Sequence, residues 1–196
     1  MPAGRPRQFD PPTALNQAME LFWSRGYDGT SLQELLAATG LSRSSLYQTF
    51  GGKHQLFGRC LDCYREMVTT AMWERLREAA SGRAFIEESL RRTLAEQRVP
   101  GGPRGCLVLN TATEFGHRDA DVNRRVRAGI DSFRDVFAEA VRRGQADGSI
   151  TSRDHPDRLA SYLVAGMGGL RTLVKADESE ERIRAALETT LRALDG

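Results

Sequence analysis

Apolar residues recur every three to four positions along nearly the whole chain, which is the spacing of amphipathic helices. Asp10-Pro11-Pro12 puts an acid and prolines where a first helical turn accepts them. Leu15, Ala18, Met19 and Phe22 then form one stripe, and Gly26 supplies a stop. Ser31 with Glu34 matches a capping box, so a short helix is expected through Leu32, Leu35 and Leu36 to about Thr39. Gly40 permits a tight turn, and Ser42 is placed to cap a third short helix that carries Leu46 and Tyr47 and ends near Phe50.

From Lys53 a longer helix presents Leu56, Phe57, Cys60, Leu61, Tyr64, Met67 and Met72 on one face to about residue 80. Further helices are expected at about 84–98, 105–115, 121–143, 154–175 and 178–194. The third of these five carries Val122, Val126, Ile130, Phe133, Phe137 and Val141 inward. Gly166, Gly168 and Gly169 lie inside the helix that begins at Asp154-His155-Pro156. Each costs about 1 kcal/mol of helix propensity against alanine, which makes sense where another helix approaches closely. No alternating Val/Ile/Thr run reaches strand length and no repeat returns at a fixed period, so the fold class is all-α. Two domains are expected: residues 1–52, three short helices, and residues 53–196, a larger helical unit. The stripes Leu159, Leu163, Met167, Leu170 and Ile183, Leu187, Leu191, Leu194 suit either a dimer interface of the last two helices or the core of one chain.

Composition narrows the class. The 196 residues are 40% hydrophobic and 28% charged, a globular balance, and no segment approaches the roughly 18 apolar residues of a membrane span. Three cysteines and a polar opening segment argue against a disulfide-stapled secreted domain, so a cytoplasmic protein is expected. The net charge of +2 is small, but its distribution is uneven: from Leu35 to Leu61 there is no acid, while Arg43, Lys53 and Arg59 are basic, and Arg5 and Arg7 charge a short arm.

That basic segment holds the strongest motif. A capped helix, a glycine turn and a second short helix make a helix-turn-helix, whose second helix can enter a major groove. Arg43, Ser44, Ser45, Tyr47 and Gln48 lie on its polar side and can address base edges and phosphates of double-stranded DNA. Lys53 opens the next helix, where backbone N–H groups also favour phosphate.

The residues from 4 to about 60 resemble the TetR/AcrR family of transcriptional repressors: Gly4-Arg5-Pro6-Arg7, Ala18-Met19-Glu20-Leu21-Phe22 with Gly26-Tyr27 and Thr30-Ser31, Ala38-Thr39-Gly40-Leu41-Ser42, and Leu46-Tyr47-Gln48-Thr49-Phe50 with Lys53 and Leu56-Phe57. The resemblance implies operator binding by a homodimer paired through its last two helices, with release when a small-molecule effector enters the second domain. It places Tyr47 and Lys53 on phosphates, Thr30 and Ser31 at the cap of the helix crossing the backbone, Arg43, Ser44, Ser45 and Gln48 on the base-reading face, and Arg5 and Arg7 in the arm. Ser31 and Ser42 also read simply as caps.

In the second domain, Cys106 stands in the first turn of an expected helix, beside Arg104. A helix N-terminus and a neighbouring cation both favour the thiolate, the form that electrophiles and oxidants attack. A buried small hydrophobe is the competing reading. The Gly-Cys pair followed by Leu-Val-Leu-Asn and then a Glu is similar to the N-ethylmaleimide-responsive, electrophile-sensing subgroup of the same family. That likeness implies a sensor cysteine at Cys106 with a lysine nearby in the fold. Lys175, one of two lysines in the chain, is placed to stabilise a thiolate or to condense with an oxidised sulfur.

A reversible apolar ligand is the alternative signal, with Trp73, Phe85, Phe115, Phe133, Tyr162 and Met167 as candidate cavity walls. No cofactor and no metal are expected: Cys60 and Cys63 fall in an apolar repeat, and zinc needs four ligands. An enzyme with Cys106 as nucleophile lacks any phosphate loop, HExxH or GxSxG motif. A helical adaptor that binds protein instead of DNA is a third class.

Overall fold

The computed structural model describes residues 10–96 and 102–196, and those residues form nine α-helices, with a 3₁₀ turn at Arg192–Leu194 and no strand. Arg5 and Arg7 lie outside the described residues. The first three helices are α1 (Pro11–Arg25), α2 (Leu32–Thr39) and α3 (Arg43–Phe50). Each starts at a side chain that accepts a backbone N–H: Asp10 from Thr13, Ser31 from Glu34 and Ser42 from Ser45. The capping box is complete, because the Glu34 carboxylate also accepts the Ser31 N–H at 2.8 Å. Phe22, Leu35 and Leu46 are fully buried where these helices meet, each worth about 1.5–3 kcal/mol of apolar burial.

The long helix α4 (Lys53–Glu78) packs against α1 and runs on into the second helical group. That group comprises α5 (Gly82–Ala95), α6 (Leu107–Phe115), α7 (Ala120–Asp147), α8 (Pro156–Lys175) and α9 (Glu180–Leu191). α7 is central and packs against α4, α5, α6 and α8. Its buried stripe includes Val122, Val126, Phe133, Phe137 and Val141, while Ile130 is only half-buried. α6 starts two residues later than the apolar pattern suggests, because Cys106 is its extended N-cap residue, not a residue of its first turn.

The stripes on the last two helices turn inward. Leu159, Leu163, Leu170, Ile183, Leu187, Leu191 and Leu194 are all buried within the single chain. Of the two readings of these leucines and isoleucine, the core of one chain is the one observed. Close approach explains two of the three α8 glycines: a Cβ at Gly166 would stand 2.9 Å from the Thr190 methyl of α9, and one at Gly168 would stand 3.2 Å from a Leu109 methyl of α6. At Gly169 a Cβ would meet nothing within 4 Å.

Candidate DNA interface and sensor cavity

α3 presents its polar side outward. Arg43, Ser44, Tyr47 and Gln48 are exposed, and Ser45 is half-buried. Leu46 and Phe50 hold the opposite side in the core. The serine hydroxyls are tied to one another, with Ser42 Oγ 3.0 Å from Ser44 Oγ and 2.8 Å from Ser45 Oγ. Tyr47 is 48% exposed and its ring lies beside Gly52, the N-cap of α4. No side chain caps that end, so the first N–H groups of α4 are left for an anion. Lys53 stands at this end with its ammonium 4.1 Å from the centre of the Tyr27 ring. The Tyr47 phenol thus stands beside an uncapped helix start whose first residue is Lys53, a combination suited to a phosphate.

Thr30 departs from expectation. Its side chain is fully buried and its hydroxyl donates to the Gly26 carbonyl at 2.7 Å, so it closes the α1–α2 link and leaves the capping to Ser31. The exposed Ser31 hydroxyl is occupied in the capping box.

A cavity of about 470 Å³ opens between α1, α6 and α8. Phe22 to Arg25 of α1 with Gly26 after it form one wall, Cys106, Asn110 and Glu114 another, and Arg171 and Lys175 a third. Cys106 and Lys175 thus face the same space; the lysine is exposed, the cysteine buried, and no hydrogen bond joins them. Arg104 does not serve Cys106. Its guanidinium pairs with Glu20 and stacks 4.2 Å over the Trp23 ring. The arginine that lines the cavity with Cys106 is Arg171, which sequence spacing gave no reason to select. Burial works against the Arg171 charge, but Cys106, Glu96 and Tyr64 around it hold the guanidinium above the ordinary arginine value. Tyr64 lies near Cys106 as well; burial, then that thiol, pushes its phenol up.

The six candidate ligand-wall residues separate. Phe133 and Met167 line a second, inner cavity that shares Cys106, Leu109 and Arg171 with the first. Phe85 is core against Phe137, and Phe115 stacks on Phe57 at 5.5 Å in an aromatic cluster with Tyr27. Trp73 and Tyr162 are exposed on the surface. Periodicity marks the apolar face of a helix, but it does not distinguish a cavity wall from packed core or from the surface rim.

Sequence reading missed a set of contacts between residues distant in the chain. The Glu114 carboxylate of α6 accepts the Tyr27 N–H at 3.0 Å and the Asp28 N–H at 2.7 Å. Gly26, with φ 76°, lets the chain turn past that carboxylate where a side chain would be strained and would meet its oxygen at 2.9 Å. Trp23 Nε1 donates to the Gly105 carbonyl at 3.0 Å. His54 at the start of α4 meets Asp119, the N-cap of α7, at 2.7 Å. The Val122 N–H, then His54, hold the Asp119 carboxyl below the usual carboxylate range. Arg125 of α7 pairs with Asp62 of α4. Their partners lie more than sixty residues away in the chain, so no local motif announces them. Among the described residues no cluster of His, Cys, Asp or Glu is arranged to hold a metal, and no helix is long and apolar enough to cross a membrane.

Known proteins share this arrangement. Residues 14–60 match the family described as bacterial regulatory proteins, tetR family, and residues 83–190 match the tetracyclin repressor-like C-terminal domain. The uncharacterised HTH-type transcriptional regulator YezE of Bacillus subtilis is 30% identical over 98% of this chain and 100% of its own length. The HTH-type transcriptional repressor ComR of Escherichia coli is 29% identical over 96% of this chain and 90% of its own. Among solved structures, a cysteine-substituted form of the TetR-family regulator CifR, in complex with a 26-base-pair double-strand operator DNA, superimposes with a TM-score of 0.83 at 36% identity, covering 97% of this chain and 99% of that one. The reduced form of Escherichia coli NemR has a TM-score of 0.84 over 91% of this chain and 93% of its own; at 23% identity that likeness speaks to the fold alone. These relatives are transcriptional regulators, not enzymes. With matches over both its reading helices and its larger helical group, the chain belongs to the TetR family and is a transcriptional regulator.

Proposed function

We propose that the protein is a homodimeric repressor that binds double-stranded operator DNA in the cytoplasm and is released when a small electrophile or oxidant modifies Cys106. Residues 1–52 act as the DNA-binding domain and residues 53–196 as the sensing and dimerisation domain. Arg43, Ser44, Ser45 and Gln48 read bases; Tyr47, Lys53 and the uncapped start of α4 hold phosphate. Ser31 fixes the helix that crosses the backbone, Thr30 supports it from the core, and Arg5 and Arg7 extend the contact. The CifR complex with operator DNA, at 36% identity, supports the docking.

The observation that carries the signalling half is the shared wall. The cavity holding Cys106 and Lys175 is bounded on one side by α1 of the DNA-binding domain itself. An adduct on Cys106 occupies space against Phe22 and Trp23, and Glu114 on the same cavity wall grips the α1–α2 link. Chemistry at the thiol therefore needs no long relay to displace α3. With an activated alkene, the thiolate sulfur bonds to the β-carbon and a proton from water completes the adduct. With an oxidant that leaves a sulfenic acid, the Lys175 amine can condense on sulfur with loss of water. Pairing is expected through the outward faces of the last two helices, where Tyr162, Ala165, Gly169 and Ala185 are exposed.

The test titrates reduced protein against its own upstream DNA at fixed salt, because phosphate contacts make affinity salt-dependent. Arg43→Ala with Tyr47→Phe should abolish specific binding in a folded dimer. N-ethylmaleimide should release wild type and leave Cys106→Ser bound. If both proteins stay bound after treatment, the thiol switch is wrong and a reversible ligand takes its place.

A further inference from the structure

The inner cavity, about 60 Å³, is walled by Met72, Leu109, Phe133, Phe137, Val164 and Met167, yet it also takes in three arginines: Arg75 of α4, Arg92 of α5 and Arg171 of α8. Arg92 pairs with Glu88 at 2.8 Å and Arg171 with Glu96 at 3.1 Å. That leaves Arg75: among the described residues its guanidinium has no ion pair, and its buried Nε has no hydrogen-bond acceptor. The buried Nε of Arg171 is likewise unmatched. Burial, then the neighbouring Arg92 charge, moves Arg75 below the ordinary arginine value, with Glu88 offsetting only part of this. Buried donors without acceptors are costly, and three guanidinium groups set against two carboxylates leave one positive charge uncompensated.

We propose that this inner cavity binds a small organic monoanion, a carboxylate on a short apolar body, with the carboxylate received by Arg75 and Arg171 beside Cys106. The inference rests on reading residues 53–196 as the sensing domain, and it names the chemical class that domain selects. Two guanidinium groups, one from α4 and one from α8, supply the donors a carboxylate takes. The apolar walls accept a short chain, and the single excess charge matches a monoanion, not the two charges of a phosphate monoester. A ligand seated there touches α4, which leads to the reading helix, as well as α8.

The test is calorimetry on the reduced full-length protein without DNA, with butyrate and its neutral counterpart butyramide as probes. Butyrate should bind about tenfold or more tightly than butyramide, the margin of a charge-assisted over a neutral hydrogen bond. Arg75→Met keeps the apolar stem; it should erase that preference and should not lower Tm, since it removes an unmatched charge. Equal binding of the two probes, an undiminished preference in Arg75→Met, or tighter binding of inorganic phosphate than of butyrate would each overturn the proposal. Operator binding is read separately by fluorescence anisotropy. A protein that discriminates the probes but never binds DNA defeats the regulator reading alone, and one that binds DNA without discriminating them defeats this proposal alone.

Discussion

The three DNA-reading helices and the larger helical group both cap their helices locally, as Ser81, Asp119 and Ser179 do in the larger group, but they differ in the bonds that tie one segment to another. In α1 to α3 the deciding bonds are local: Asp10 to Thr13, Ser31 to Glu34, Ser42 to Ser45. Around the cavity they span the chain: Glu114 to Tyr27 and Asp28, Trp23 to Gly105, Arg125 to Asp62, Arg171 to Glu96. A reading head built from local bonds keeps its shape while its orientation changes. The larger helical group is tied to α1 and to the α1–α2 link by bonds between segments distant in the chain, so a change of shape there can pass directly to the reading head.

If that contrast is right, the largest damage comes where the sensing helices touch backbone to backbone. A methyl at Gly82 would run into the Ala140 carbonyl oxygen of α7. Gly82→Ala should therefore cost more than about 3 kcal/mol in urea unfolding, at the upper end of overpacking effects. An unfolding free energy within about 0.5 kcal/mol of wild type would show that α5 and α7 slide freely, and the contrast would lose its basis.

Next comes the junction. Glu114→Ala strips two N–H donors of a charged acceptor and should cost about 1.5–3 kcal/mol. Its diagnostic is functional: operator affinity should fall, and the ratio of affinities before and after Cys106 modification should shrink toward one. A variant that loses stability but keeps the full ratio would place the coupling elsewhere, at Trp23–Gly105 or His54–Asp119.

The same division explains what the sequence made legible. The caps, the boundaries of α1 to α3 and the outward set Arg43, Tyr47 and Gln48 follow from bonds three or four residues long and from a 3.6-residue period. Glu114 and Arg171 carry no such mark. Each becomes a site residue only when helices distant in the chain are brought together, and Arg104, adjacent in sequence to the Gly105-Cys106 pair, faces Glu20 and Trp23 instead. Trp73 and Tyr162 fit an apolar rhythm but sit at its exposed edge. Thr30 shows the limit even for a well-marked motif. Position suggested a cap, while the hydroxyl is spent on Gly26 one turn back.

Ser42→Ala probes the local side of the comparison. It removes the acceptor for the Ser45 N–H and should cost about 1 kcal/mol, weaken operator binding and leave butyrate affinity unchanged. A parallel loss of butyrate affinity would show that the two regions are not separable in energy.

The smallest effect is a matter of pH, and it tests whether the local bonds act through charge. The Ser31 backbone N–H, then the Ser31 hydroxyl, hold the Glu34 carboxyl below its ordinary value; desolvation opposes this and Arg25 adds to it. A carboxyl depressed on folding contributes stability that is present above its unfolded value and is lost as pH falls through the folded one. Glu34→Gln keeps an acceptor but not the charge, so it should melt slightly below wild type at pH 7, by less than Ser42→Ala. The gap should close as pH falls below the ordinary carboxylate range, through the point where the wild-type carboxyl itself protonates. A gap that persists unchanged at the acid end would mean that Glu34 works through shape alone. The helix start at α2 would then be indifferent to the charge that a DNA phosphate brings beside it.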